Sequence, residues 1–195
     1  FLTLLLPGLY LAITNFHQEL IPTELLFSIL SSRENVPFPV FFEILLMEIS
    51  FELIREAGLR VPSSIGTTIS IVGALVLGQA AVSASIVSPI LIIIIAITGI
   101  ASFAIPDFSF GFHLRVCRFI FLFLAYIAGF LGIGIGLFVY ITILCNIKSF
   151  GVPYLAPYSP VTKMTGNGYF VSPTWKQERR PDYLNTKKLQ SQKPI

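Results

Sequence analysis

Charge is what this sequence lacks over its longest stretch. Val61–Pro106, a run of 46 residues, contains no Asp, Glu, Lys or Arg. As a helix at ~1.5 Å per residue, this run would extend roughly 70 Å, about twice the ~30 Å hydrocarbon core of a bilayer. A second uncharged run, Phe119–Ile147, is long enough for one more crossing. These runs exclude an ordinary water-soluble domain and predict helices that cross a membrane.

Cysteine is also scarce, and its scarcity argues against several kinds of site. Only Cys117 and Cys145 occur, at the two ends of one predicted helix and without the spacing of metal ligands. A disulfide within the chain and a cysteine metal site are therefore not expected. The sequence also lacks a Gly-x-Ser-x-Gly elbow, a His-Glu-x-x-His motif and a Gly-rich phosphate loop. We expect no enzyme activity, no bound metal and no cofactor.

Apolar residues are abundant, at 54% of the chain, and the mean hydropathy is +0.81. This composition predicts an all-α integral membrane protein, a multi-span helical bundle. The expected spans cover about residues 1–16, 63–81, 84–105 and 119–147 of a membrane domain fragment over residues 1–147. Because the first residue already lies in an apolar run with no basic n-region, we interpret the chain as the C-terminal part of a longer protein.

Residues 40–60 predict an amphipathic helix. At ~100° per residue, Glu48, Glu52, Arg55 and Glu56 fall on one face, opposite an apolar face. Such a helix lies in the membrane interface or stands inside an assembly with its acidic face towards water or a partner. Glu43 projects from the apolar face, either as an acid favoured by the helix N-terminus or as a buried group with a partner or in an ion path. These four glutamates are the candidate ion-path residues.

Small residues recur at helical spacing in two of the predicted spans. One span carries four of them at intervals of four residues, and the last span carries a Gly-x-x-x-Gly motif. Such strips let helix backbones approach closely, within one chain or between copies of it. The predicted helix-packing or oligomer-interface residues are Gly66, Ser70, Ala74, Gly78, Gly132 and Gly136.

Residues 148–195 form a Pro- and Gly-rich segment followed by a basic, mostly irregular tail. They contain eight Lys or Arg residues against Glu178 and Asp182. A basic segment beyond a last span is typical of the cytoplasmic side of a membrane. Nucleic-acid binding is not favoured, because no aromatic-basic pattern accompanies the charge. With the tail in the cytoplasm, residues 17–62 and 106–118 are predicted to lie outside.

Four motifs stand out along the chain. They are Pro37-Phe38-Pro39, Arg55-Glu56-Ala57-Gly58-Leu59-Arg60-Val61-Pro62, Gly78-Gln79-Ala80-Ala81-Val82 and Ser149-Phe150-Gly151-Val152-Pro153-Tyr154-Leu155-Ala156-Pro157. In this order the sequence resembles the A-subunit family of bacterial spore germination receptors, which respond to nutrient germinants. The resemblance covers nearly the whole chain and corresponds to the later part of the family's membrane domain.

The resemblance implies a subunit of the inner spore membrane. Members of the family work with a transporter-like B subunit, which senses nutrients, and with a C lipoprotein. The resemblance also implies that A subunits form homo-oligomers and contribute to an ion-conducting pathway that triggers germination. The glutamates of residues 40–60 would then supply a surface that attracts cations.

Two other functions are compatible with the sequence. A non-conducting scaffold would only anchor and assemble receptor or transporter partners. A secondary transporter would need broken helices that meet at a midplane site, usually in repeats, and no repeat is visible in the 195 residues.

Overall fold

Helices form nearly all of the regular structure, as the uncharged runs predict. The structure, a computed structural model, describes residues 1–61, 65–66, 71, 73, 76–156 and 159. The chain divides into two units, Phe1–Gly136 and Leu137–Ile195.

The first unit begins with three helices. These are α1, Leu2–Phe16, α2, Thr23–Ser32, and α3, Val40–Arg60, with a 3₁₀ turn at Gln18–Leu20. A π-helical turn at Val76–Ala80 then leads to three more helices, which are α4, Ala81–Ser83, α5, Pro89–Phe103, and α6, Phe108–Asn146. α3 covers the same residues as the predicted amphipathic helix.

Prolines mark where three of these helices begin. Pro22 and Pro39 immediately precede α2 and α3, and Pro89 is the first residue of α5. Proline lacks the backbone N–H that a helix interior needs, but its fixed φ suits the first turn. The helix predicted at residues 84–105 therefore begins later than expected, at Pro89.

The core of the first unit forms around α5, which is contacted by α1, α2 and α3. Leu91 of α5 is completely buried, together with Leu11 of α1 and Ile44 of α3. Gly99 of α5 allows a close approach to α3, since a Cβ atom at this position would overlap the ring of Phe51. Apolar contact of this kind holds the helices side by side.

A glycine interrupts α6. Gly129 has φ 59° and ψ −134°, a conformation outside the helical region that side chains with a Cβ rarely adopt. Beyond it the chain folds back, because a Cβ atom at Gly136 would lie 2.7 Å from Cδ1 of Leu124. In a straight helix these two residues would be about 18 Å apart. The stretch predicted as one span at residues 119–147 is therefore bent at Gly129.

Among the described residues, one helix, Ser109–Asn146, is long and apolar enough to cross a membrane. α1, α2 and α5 are apolar but shorter. The span predicted at residues 63–81 lies largely outside the described residues. The helical character is thus confirmed, and the multi-span bundle stays a prediction.

The second unit contains the end of α6 and a β-hairpin. In the hairpin, β1, Lys148–Ser149, pairs antiparallel with β2, Val152–Pro153, and Ser149 lies opposite Val152. The backbone N–H of Tyr154 donates a hydrogen bond of 2.9 Å to the carbonyl oxygen of Ile147. The predicted basic tail beyond residue 159 lies outside the described residues.

Candidate functional site

α3 directs charged side chains into the protein and apolar side chains to its surface. Glu43 and Glu48 are each only 1% exposed, and Arg55 is also buried. The exposed positions of the helix include Phe42, Leu46, Ile49 and Leu53. In water the stable arrangement is the reverse, since charged groups are almost never fully buried unless paired. The buried charged groups of α3 therefore need oppositely charged groups beside them inside the fold.

Glu48 finds its partner on α6. Nη2 of Arg118 lies 2.7 Å from Oε2 of Glu48 and 2.8 Å from Oε1 of Glu52. Arg118 is as enclosed as Glu48, at 2% exposure. One guanidinium group thus bridges two carboxylates that lie one helical turn apart on α3. This bridge joins α3 to α6.

Arg55 extends the network to α5. Its Nη1 lies 3.3 Å from Oε1 of Glu52, and its Nη2 donates a hydrogen bond of 2.6 Å to Oγ of Ser102. The guanidinium carbon also lies 4.8 Å from the ring centroids of both Phe51 and Phe103. Two aromatic faces and two polar partners therefore hold this cation between α3 and α5.

A fifth residue completes what we call the arginine–glutamate cluster. Nε of Arg115 lies 3.8 Å from Oε2 of Glu52. The members of the cluster are Glu48, Glu52, Arg55, Arg115 and Arg118. Two carboxylates thus stand against three guanidinium groups, so the cluster carries an excess of positive charge.

Charge attraction and a hydrogen bond together hold the centre of the cluster, since Nη2 of Arg118 donates a hydrogen bond of 2.8 Å to Oε1 of Glu52. Among the described residues, no donor forms an aligned hydrogen bond with the carboxylate oxygens of Glu48, although Oε2 lies 2.7 Å from Nη2 of Arg118. Nε and Nη1 of Arg118 are buried and have no hydrogen-bond acceptor in that part of the chain either. Separating such buried charges costs free energy, because each charge would then remain buried without an opposite charge beside it.

Glu43 forms a separate polar contact near the start of α3. Its Oε1 accepts hydrogen bonds from Nη2 of Arg33, at 2.8 Å, and from Nε, at 3.2 Å. Its Oε2 accepts the backbone N–H of Ser88, at 3.1 Å, immediately before α5. The carboxylate thus ties the loop after α2 to the N-terminus of α5. Glu43 lies in the first turn of α3 and is also buried with a partner, so features of both interpretations occur together, and a place in an ion path stays a prediction.

Glu56, the fourth glutamate, lies apart from these contacts. Its side chain is 54% exposed and pairs with Arg60 of the same helix at 2.6 Å. The structure therefore brings Glu48 and Glu52 together in the cluster, and places Glu43 and Glu56 outside it.

The predicted packing glycines lie in different surroundings. A Cβ atom at Gly66 would lie 2.7 Å from the carbonyl oxygen of Gly58, whereas one at Gly78 would meet none of the described residues within 4 Å. Gly132 and Gly136 face Leu124 of the same helix, across the bend. Ser70 and Ala74 lie outside the described residues. An oligomer interface at these positions stays a prediction.

Of the three arginines of the cluster, the sequence placed only Arg55 on the face of the glutamates. Arg115 and Arg118 belong to residues 106–118, which are predicted to lie outside the membrane, but in the structure both lie within α6. Ser102 and Ser88 carried no signal at all. The only available signal was that the uncharged run Phe119–Ile147 begins directly after an arginine.

Grooves beside the site are lined mainly by apolar side chains. One, of about 310 Å³, runs between α3 and α6 past Glu52 and Arg115, with Leu53 and Phe119 among its walls. Another, of about 590 Å³, lies against Phe42 and Glu43. Among the described residues, no group of three or more His, Cys, Asp or Glu side chains could hold a metal ion.

Comparison with known sequences identifies one family of proteins. Residues 1–183 match a family described as "Bacillus/Clostridium GerA spore germination protein". "Spore germination protein KA" of Bacillus subtilis (strain 168) is 48% identical over 186 residues, which are 95% of this chain and 34% of that protein. "Uncharacterized membrane protein YfkQ" of the same organism is 50% identical over 182 residues, 93% of this chain and 36% of that protein.

"Spore germination protein GerLA" of Bacillus cereus is 43% identical over 187 residues, 95% of this chain and 38% of that protein. The chain thus spans little more than a third of the length of these relatives. No solved structure matches it significantly.

Proposed function

Since the chain belongs to the Bacillus/Clostridium GerA family of spore germination proteins, we propose that it is part of a membrane subunit that helps to convert nutrient sensing into ion release and germination. Membership confirms the family resemblance of the sequence. The names of the relatives describe germination proteins and a membrane protein, and none names an enzyme.

The inverted arrangement of charge supports a position inside a membrane. On α3 the side chain of Glu48 is buried and that of Leu53 is exposed. On α5 the side chains of Ile93 and Ile100 are exposed. Lipid tails are a suitable solvent for these apolar faces, and ionisable groups in a membrane face the interior of the bundle and pair with one another. The domain is proposed to cross the inner spore membrane several times, with the basic tail on the cytoplasmic side.

The proposed partners follow from the family and not from contacts in this chain. They are a transporter-like B subunit, a C lipoprotein and further copies of the same chain. The small-residue positions Gly66, Gly78, Gly132 and Gly136 remain candidates for close helix packing in such an assembly.

The arginine–glutamate cluster is the observation that carries the mechanistic part of the proposal. It joins α3, α5 and α6 through charges that are buried and mutually dependent. A movement of α6 relative to α3 would have to separate Arg118 from two carboxylates at once. The cluster is thus suited to transmit a change between these helices, and separation of its charges would release carboxylates towards an ion path.

A scaffold is the second candidate, and one observation favours it. Each of the four glutamates lies within 2.8 Å of an arginine nitrogen. A carboxylate neutralised in this way attracts cations weakly. In the scaffold the pairs only hold the helices together, while the ions pass elsewhere.

Neutralisation of single glutamates in the full-length protein separates the two candidates. Glu52→Gln tests the shared carboxylate of the cluster, and Glu56→Gln is the matched control on the same helix. An ion-path role predicts altered ion release from spores at a normal level of the protein. A scaffold role predicts a lower level of the assembled complex, with unchanged release for each complex that remains.

Cysteine accessibility along α3 in oriented vesicles gives an independent measurement. Water access with a helical period down to membrane depth supports the ion path. Labelling confined to one membrane surface contradicts it and leaves the scaffold.

A further inference from the structure

The β-hairpin after α6 has an unusual residue at its tip. Phe150 and Gly151 are the two central residues of the turn between β1 and β2, and their φ angles are 50° and 81°. Positive φ at both positions is the signature of a type I′ turn, which strongly prefers Asn-Gly. A bulky side chain at positive φ is a true outlier. The turn is therefore formed at a conformational cost that asparagine would avoid.

The side chain of Phe150 gains nothing within the described structure in return. It is 106% exposed, so it projects fully away from the hairpin. Backbone strain of this kind persists at sites where the residue serves a function. A phenyl ring that is held out at the tip of a turn requires apolar surroundings outside the described residues.

The position of the hairpin along the chain indicates what those surroundings are. The helix before it exposes apolar side chains up to its end, with Phe138 at 74% exposure. Ile147, Lys148 and Tyr154 lie at the base of the hairpin, next to the end of the helix, and are all exposed. An apolar helix followed by a cation and aromatic residues is the pattern found at the boundary between lipid tails and headgroups. A lysine there meets lipid phosphates, and aromatic rings enter the interface.

We propose that the hairpin of residues 147–154 is a membrane-interface anchor, with Phe150 inserted among the lipid headgroups and Lys148 at their phosphates. In this proposal the ring of Phe150 contacts lipid and does not enter a pocket of a partner protein. The anchor would fix the end of α6 at the membrane surface. This inference rests on the proposed position of the domain in a membrane.

The test places a tryptophan at the tip of the hairpin in the full-length protein. The Phe150→Trp variant is reconstituted in bilayers of phosphatidylcholine and phosphatidylglycerol, whose lipids carry bromine atoms either near the headgroup or near the tail end. The protein without the new tryptophan gives the background emission. We expect about twofold stronger quenching by bromine near the headgroup.

Phe138→Trp is the matched control, because Phe138 is exposed on the helix of the same unit. In the proposed membrane domain, bromine near the tail end quenches its emission more strongly. If the helix tryptophan is quenched and the tip tryptophan is not, the anchor is wrong while the membrane position holds. Blue-shifted but unquenched emission from the tip tryptophan would place the ring in a protein pocket, which also overturns the anchor. If neither tryptophan is quenched, both proposals fail.

A second variant keeps the test independent of folding. Phe150→Asn supplies the residue that the turn prefers, so the thermal midpoint is expected to stay the same or rise. Loss of the ring should nevertheless free the hairpin from the interface, and modification of Lys148 by a membrane-impermeant amine reagent should increase about threefold. Unchanged modification of Lys148 would contradict the anchor.

Discussion

Arg118 and Glu48 form an ion pair in which neither side chain reaches the surface of the chain. Nη2 and Oε2 are 2.7 Å apart, and the exposed fractions are 2% and 1%. The two residues lie on different helices, α6 and α3. The pair therefore couples the positions of these helices through a contact that solvent does not replace.

Removal of one partner should cost much more than removal of both. Arg118→Met leaves Glu48 buried and uncompensated, and we expect a loss of about 3–5 kcal/mol in the free energy of unfolding. Adding Glu48→Gln to it should restore about 1–3 kcal/mol. Unfolding of the full-length protein in detergent measures all variants. Arg60→Met, at the exposed pair with Glu56, is the control and should cost at most about 1 kcal/mol. Additive losses would show that the pair is not coupled.

Glu43 is expected to be more sensitive than Glu56 to the same substitution. Glu43→Gln removes the charge that faces Arg33 and weakens the contact with the N–H of Ser88, so the thermal midpoint should fall, with a loss of about 1–3 kcal/mol. Glu56→Gln affects only an exposed pair and should cost less than about 1 kcal/mol. Equal effects of the two substitutions would argue against a role of Glu43 in joining the loop after α2 to α5.

The bend in α6 makes three neighbouring glycines unequal. Gly132→Ala places a methyl group on the carbonyl oxygen of Leu124, so the backbone must move and stability should fall by about 3 kcal/mol. Gly136→Ala meets the movable end of the Leu124 side chain and should cost less. Gly134→Ala meets nothing within 4 Å in the described part of the chain and should be neutral or stabilising by up to about 1 kcal/mol. Thermal unfolding of the three variants gives the order, and a neutral Gly132→Ala would contradict the bend.

The contact between α3 and α5 can be tested by a compensating pair. Gly99→Ala is expected to destabilise by about 1–3 kcal/mol, since the new methyl group overlaps the ring of Phe51. Phe51→Leu in the same chain should relieve part of this loss. Gly111→Ala is the control, because its nearest neighbour, Cγ2 of Ile105, would lie 3.9 Å away. If Phe51→Leu restores no stability, the contact with the Phe51 ring is not the cause of the loss.

Helical structure is a local feature, and for one helix the sequence was sufficient to predict the bounds. The alternation of charged and apolar residues over 40–60 led to a helix that the structure has at Val40–Arg60. That helix was predicted with an acidic face, and the structure shows that part of this face is turned inward. A helical period reveals which residues share a face, but it does not reveal what lies opposite that face.

The bend at Gly129 is a second feature that depends on residues far apart in the sequence. Several glycines occur in the last apolar run, and the sequence does not distinguish the one that leaves the helical conformation. In the structure Gly129 has positive φ, and a Cβ atom there would lie 3.1 Å from the ring of Phe16. A contact with a residue more than a hundred positions away in the chain thus accompanies the bend.

The sequence alone determined that the chain is helical, apolar over most of its length and a member of one family, because composition, periodicity and motif order are all readable along the chain. The contact of Glu52 with an arginine 66 residues away, and that of Glu43 with the start of α5, could be seen only in the packed fold. These contacts depend on which helices lie side by side. The physical reason is that a buried charge needs a partner, and the packing of the whole fold selects which one is within reach.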